Sequence, residues 1–183
     1  MNLSELILIA VGLAMDAFAV SVSNGMVIQR LRLRDALKFG LFFGFFQMLM
    51  PLLGWAAGRM FNTYITAFDH WVAFILLAYI GVKMILDARH GEEAAGSTRF
   101  RVLLVLAIAT SIDALAAGIT FAFMSVNIWF CIVVIGLITF CLSTFGALIG
   151  KRAGTALGRH AQTGGGALLV LMGLKILIEH LFF

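Results

Sequence analysis

Charge is what this 183-residue chain has least of: 12% of its residues are charged, 62% belong to the apolar set, and there are only two cysteines and one proline. Soluble domains carry about 25% charged residues, so the chain lacks the polar surface a water-facing globule needs. It also lacks a G-x-x-x-x-G-K-[ST] loop to cradle a phosphate. The few residues outside its apolar runs leave no room for a nucleotide-binding domain. An ATP-driven pump contained in this one chain is thereby excluded. Cys131 and Cys141 lie ten residues apart on one apolar run, about 15 Å on a helix rising ~1.5 Å per residue, too far to bridge. They read as small core residues. His70, His90, His160 and His180 fall at or near the ends of apolar stretches. None has the i, i+4 partner of an H-E-x-x-H zinc site, so they read as interfacial.

What the chain has is hydrophobic length. A membrane span takes ~20 mostly apolar residues, and the runs between charge clusters predict six, near 4–23, 36–58, 68–87, 102–124, 128–150 and 164–183. The expected fold class is an all-α integral membrane protein in the lipid bilayer. The first run does not read as a cleaved signal peptide, because Glu5 replaces a basic n-region and Asp16 interrupts its centre. Ala17-Phe18-Ala19 matches a cleavage site only by composition. Arg30, Arg32, Arg34 and Lys38 flank the first connector, Arg89, Arg99 and Arg101 the third, and Lys151, Arg152 and Arg159 the fifth, against Arg59 alone on the other side. The positive-inside rule then places both termini on the extracytoplasmic side. The same tally accounts for the +4 net charge without a nucleic-acid partner.

Three segments recur in the same order. Ala14-Met15-Asp16-Ala17-Phe18-Ala19 resembles Ser111-Ile112-Asp113-Ala114-Leu115-Ala116. Gly54 to Gly58 before Arg59 pairs with Gly146 to Gly150 before Lys151, and Gly81 to Asp87 pairs with Gly173 to Glu179. The expected organisation is two three-helix repeats, 1–90 and 101–183, joined by a polar cytoplasmic linker at 91–100. Because three crossings are odd, the second repeat enters from the opposite face, as inverted repeats do in many secondary transporters.

Asp16 and Asp113 are the only acids within the apolar cores. Each lies ~17 Å into its span, near the bilayer midplane. An Asp at that depth costs ~2.5–3.5 kcal/mol on insertion scales, so the two require a cation, a proton or water as partner. The alternative is a pair of protonated acids bonding two helices together. Gly12 and Ala19 flank Asp16, and Ala109 and Ala116 flank Asp113, at the same offsets, giving strips of small side chains suited to close helix approach. Thr110 and Ser111 offer hydroxyl oxygens, with Ser21 and Ser23 more distant, although such groups often bond their own i−4 carbonyl. Pro51 cannot donate to the Gln47 carbonyl, which adds a freed backbone oxygen to a side-chain amide. The repeat counterparts of Gln47 and Pro51 are Thr139 and Ser143. A candidate metal set of Asp16, Asp113, Gln47, Thr110 and Ser111 is all-oxygen. It suits Mg²⁺, Mn²⁺, Ca²⁺ or Fe²⁺ and disfavours Cu⁺ or Zn²⁺.

Other features read as structural. Lys83 and Lys175 each have an acid at i+4, Asp87 and Glu179. Gly54-x-x-x-Gly58 and Gly146-x-x-x-Gly150 are expected helix-contact faces, open also to a second copy in a homo-oligomer. Trp55, Trp71 and Trp129 fall near span ends, where aromatic belts form.

Met15-Asp16-Ala17-Phe18-Ala19, the Gln47 to Trp55 segment containing Pro51, and Ala109-Thr110-Ser111-Ile112-Asp113-Ala114 resemble the paired signatures of the MntP family of manganese efflux pumps, related to the LysE exporter superfamily. The resemblance covers essentially the whole chain. It implies that Asp16 and Asp113 are the functional acids, that Mn²⁺ is a transported substrate with no cofactor, and that export crosses a bacterial inner membrane. A LysE-like exporter of an amino acid or other organic cation is the alternative, although the small residues around both acids suggest a tighter site. An intramembrane aspartyl hydrolase would also use two buried acids, but Thr110-Ser111-Ile112-Asp113 lacks the G-x-G-D context such enzymes need. With no ATP site, exchange with protons is the expected coupling, because an empty site in an apolar setting favours neutral acids and metal then competes with protons for the same oxygens.

The charge tally makes a direct prediction of topology. Single cysteines introduced at Asn62 or Phe183 should react with an impermeant thiol reagent from outside intact cells, and one at Gly96 should not; labelling of the Gly96 position from outside would overturn the inverted arrangement.

Overall fold

A computed structural model describes residues 2–28, 31–60, 100–124 and 126–157, with single positions at Val82, Ala167, Val170, Leu171 and Leu174. The described residues form five helices, α1 (Leu3–Val27), α2 (Leu33–Met60), α3 (Phe100–Ala109), α4 (Ile112–Phe123) and α5 (Ile128–Leu157), and no strand. By length and composition α1, α2 and α5 can each cross a bilayer, and α3 with α4, bent by 45° at the break between them, is long and apolar enough for a fourth if the two form one span. The chain is therefore a multi-pass helical membrane protein. The expected runs at 4–23, 36–58 and 128–150 correspond to α1, α2 and α5. Those at 68–87 and 164–183, and the linker at 91–100, lie outside the described residues apart from the isolated positions and Phe100.

The run at 102–124 requires correction, since a single uninterrupted span was expected. The helix stops at Ala109 and restarts at Ile112, with Ser111 at φ −111° and ψ 7° between them. Hydroxyls drive this locally. Thr110 Oγ1 donates to Leu106 O at 3.0 Å and Ser111 Oγ to Ala107 O at 2.7 Å, while the Ser111 N–H bonds Ile108 O in a tighter i−3 step. Ser and Thr that bond back to the preceding turn bend membrane helices.

Helix starts follow from acids placed three residues in. The Asn2 N–H donates to Glu5 Oε2 at 2.9 Å, and the Arg32 N–H to Asp35 Oδ2 at 3.2 Å. Both acids lie where the helix dipole favours negative charge. Lys38 Nζ sits 3.0 Å from Asp35 Oδ1 at the same end of α2.

Small residues decide how the helices cross. In lipid there is no hydrophobic drive between helices, so close backbone approach supplies the contact. A Cβ added to Gly54 would strike Leu115 O, one on Gly118 would strike Pro51 O, and one on Gly58 would meet Ala122 Cβ at 2.9 Å. From Gly54, against Leu115 and Ile119, to Gly58, against Ile119 and Ala122, the numbers rise together, so α2 and α4 run parallel. Gly146 faces Phe18 O, Gly150 faces Val22 O, and Gly154 faces Met26 O, so α1 and α5 are parallel as well. By contrast α2 and α5 are antiparallel, with Gly40 against Thr144, Gly44 against Gly136 and Phe140, and Gly136 against Met48. Both Gly-x-x-x-Gly faces are thus covered inside the chain, as expected of helix-contact faces. The strips around the acids behave otherwise than expected. A Cβ on Gly12 would meet nothing within 4 Å, and α1 and α4 make their main contacts with α5 and α2, not with each other.

Gly118→Leu and Gly54→Leu should each destabilise the protein by about 1–3 kcal/mol through overpacking, read as a lower thermal midpoint in detergent. Gly12→Leu should not. Equal losses at Gly12 and Gly118 would contradict the crossing described for α2 and α4.

Candidate functional site

Each membrane helix passes from one apolar cluster to the other with polar residues at the changeover, and α1 carries further buried polar residues, Ser21, Ser23 and Asn24, within the first cluster's stretch. The first cluster contains Ala17 and Val20 of α1, Ala36, Phe39 and Phe43 of α2, Leu103, Leu106 and Ala107 of α3, and Ala147 of α5. The second contains Leu6 and Ala10 of α1, Phe121 of α4, and Ile128, Cys131, Ile132 and Ile135 of α5, with Met48 and Leu52 of α2 packed against it. Between them fall Asp16 on α1, Gln47 on α2, Thr110, Ser111 and Asp113 at the α3–α4 break, and Thr139 and Ser143 on α5. A polar layer is enclosed by apolar packing on two sides.

Asp16 is 8% exposed in the middle of α1. Asp113 is half-buried in the first turn of α4, where its Oδ1 accepts the Ala114 N–H at 2.8 Å. The break therefore places the Asp113 carboxyl in the first turn of a helix, beside backbone N–H groups that have no partner within that helix. Thr110 and Ser111 are buried, and their hydroxyl protons are committed to Leu106 O and Ala107 O. A hydroxyl that donates still has lone pairs to offer a cation.

Gln47 is fully buried and joins α2 to α1. Its Nε2 donates to Leu13 O at 2.9 Å, while its Oε1 has no hydrogen-bond partner among the described residues. The bond fixes which end of the amide is left over, and that end is an oxygen. A buried acceptor without a partner costs about 1–3 kcal/mol, an outlay that a bound cation would offset. The freed carbonyl of Gln47 and its amide oxygen both fit the donor chemistry expected for a hard divalent ion.

Ser143 was singled out only as the counterpart of Pro51 and not as a site residue. It is fully buried, and its Oγ has no partner among the described residues. Thr139 Oγ1 donates to Ile135 O at 2.9 Å. Asn24, which sequence reading missed, is buried with its Nδ2 on Val20 O at 2.9 Å. Only the repeat register could have drawn attention to Ser143, and nothing in the pattern marks Asn24. Among the described residues no group of three or more His, Cys, Asp and Glu side chains converges. Trp55 packs beside the second cluster with the Arg59 guanidinium 4.9 Å over its ring, and Trp129 is exposed.

These features can be set beside known proteins. A family model described as "Mntp: Putative manganese efflux pump" matches residues 30–177. The chain belongs to the MntP family. Similar relatives include "Putative manganese efflux pump MntP" of Desulfitobacterium hafniense, 52% identical, and the proteins of the same printed name from Clostridium botulinum, 48%, and Clostridium perfringens, 47%. Each comparison covers 98% of this chain and 96% of the relative. No solved structure matches the chain significantly. MntP proteins are transporters, so the chain is a transport protein and not a hydrolase.

Proposed function

We propose that the protein exports Mn²⁺ across the bacterial inner membrane, holding the ion between Asp16 and Asp113 in the polar layer and exchanging it for protons. The observation that carries this reading is the layer itself, with two acids and several neutral oxygens enclosed by apolar clusters. The names of the relatives supply manganese and the direction of movement. Two carboxylates balance one divalent charge. Gln47, Thr110 and Ser111 would complete an oxygen shell of the kind that Mn²⁺ accepts.

The crossings support two inverted repeats. Gly54 meets Leu115, two residues after Asp113, and Gly146 meets Phe18, two residues after Asp16. Gly58 against Ile119 has its counterpart in Gly150 against Val22, and Gly44 against Phe140 in Gly136 against Met48. In this reading the Gly44–Gly136 contact lies on the pseudo-two-fold axis. The parallel course of α2 and α4 supports a recrossing between them and hence the third span expected at 68–87. With the Lys/Arg tally, the proposed topology has six spans and both termini outside.

Proton exchange follows from energetics. Moving an uncompensated +2 ion outward against an inside-negative potential costs ~4.6 kcal/mol per 100 mV, at ~2.3 per charge. Two protons returning through the same carboxylates would leave almost no net charge moved.

Asp16→Asn and Asp113→Asn should each reduce Mn²⁺ efflux from loaded cells by more than about tenfold, corresponding to more than ~1.4 kcal/mol. Gln47→Ala, which keeps the backbone carbonyl, should cost about two- to tenfold. Either Asn variant clearing manganese as fast as the parent would remove the paired-carboxylate site.

A further inference from the structure

Both apolar clusters have the same construction. On one side Ala36, Phe39 and Phe43 of α2 stand with Leu103 and Ala107 of α3; on the other Ile128, Cys131 and Ile135 of α5 stand with Leu6 and Ala10 of α1. The spacings agree, i, i+3, i+7 on the longer helix and i, i+4 on its partner. Each set also occupies the register that the repeat assigns to the other. All ten side chains are buried. These ten side chains offer an ion no oxygen; on α1 the buried Ser21, Ser23 and Asn24 lie between Val20 and Val27 of the first cluster, with the Ser21 hydroxyl and the Asn24 amide donating to Ala17 O and Val20 O. Because an ion loses its hydration against apolar side chains, each set resists its passage while it stays packed.

We propose that these two clusters are the alternating barriers of the transport cycle, so that the pair Phe39 and Phe43 closes the cytoplasmic side and the pair Cys131 and Ile135 closes the outer side, one opening only while the other is shut. This rests on the transport and inverted-repeat reading above. Two asymmetries indicate what moves. The α3–α4 helix is bent by 45° at Thr110–Ser111, whereas α1 runs unbroken through Leu13–Ala14, the corresponding positions. The Gln47 amide is bonded to Leu13 O, the carbonyl that a bend of α1 at that point would disturb. In this account the segment carrying Leu103 and Ala107 pivots at the existing break to open the inner barrier. To open the outer one, α1 bends at Leu13–Ala14 and Gln47 releases it, moving Leu6 and Ala10 from Ile128, Cys131 and Ile135. Gln47 then has a positioning role on α1 in addition to its oxygen.

Cys131 is a native reporter of the outer barrier, since Cys141, the other cysteine among the described residues, is exposed and replaceable. The full chain carrying Cys141→Ser would be reconstituted in vesicles and treated with a small, charged, membrane-impermeant methanethiosulfonate from the terminus side, with and without saturating Mn²⁺ and at acid and neutral pH. A second chain with Phe39→Cys, Cys131→Ser and Cys141→Ser would be treated from the opposite side, and Phe43→Cys would replace Phe39→Cys if that variant does not insert. The expected result is that every condition raising the reaction rate at position 131 by threefold or more lowers it at position 39, and the reverse. Rates that rise and fall together, or stay unchanged while the same vesicles carry Mn²⁺, would overturn the alternating barriers and leave the transport reading standing. Absence of Mn²⁺ flux from the Cys141→Ser chain and its parent alike would remove both.

Discussion

A carboxylate has few ways to exist inside a hydrocarbon layer, and this protein carries two. Each costs ~2.5–3.5 kcal/mol at the centre of a span, so the surrounding architecture has to supply compensation that lipid cannot. Asp113 obtains part of it from the Ala114 N–H in the first turn of α4, a helix start created by the break at Thr110–Ser111. Asp16 lies in an uninterrupted helix and is buried within the four-helix arrangement. In the proposed site the apolar clusters on either side would keep water from the layer, which would strengthen any attraction between the acids and a cation within it.

Bringing four helices around such a layer without an aqueous hydrophobic drive demands backbone contact. Glycines at the α2–α4, α1–α5 and α2–α5 crossings make it possible, and their order determines which helices run together. The crossing of α2 on α4 places Pro51 against Gly118, so the residue that frees the Gln47 carbonyl is also part of a close backbone contact. Packing and the candidate chemistry are therefore linked through the same turn of α2. The Gln47–Leu13 bond adds a polar connection between α2 and α1, which otherwise touch little.

Much of this was legible in the chain because hydropathy reports span length directly. The runs at 4–23, 36–58 and 128–150 correspond to α1, α2 and α5, whose ends extend further because helices continue beyond the apolar zone. The break at Thr110–Ser111 was not legible, since neither Gly nor Pro marks it and an apolar run looks the same whether straight or bent. Pro51 is the opposite case, a conspicuous breaker within a helix that continues from Leu33 to Met60. The Gly-x-x-x-Gly faces were recognised as contacts, but a small surface does not state which helix covers it; here α4 and α1 do. The acids stood out because charge is so scarce. Ser143 did not, because a serine in a membrane helix is ordinary until its oxygen is found buried without a partner among the described residues.

Competition of an ion and protons for one pair of carboxylates would show in Mn²⁺ flux measured in oriented vesicles with the pH gradient and the membrane potential set independently. An outside-acid gradient should drive Mn²⁺ outward and a potential alone should do little, because exchange of one Mn²⁺ for about two protons moves almost no net charge. Flux that follows the potential and ignores the pH gradient would contradict it.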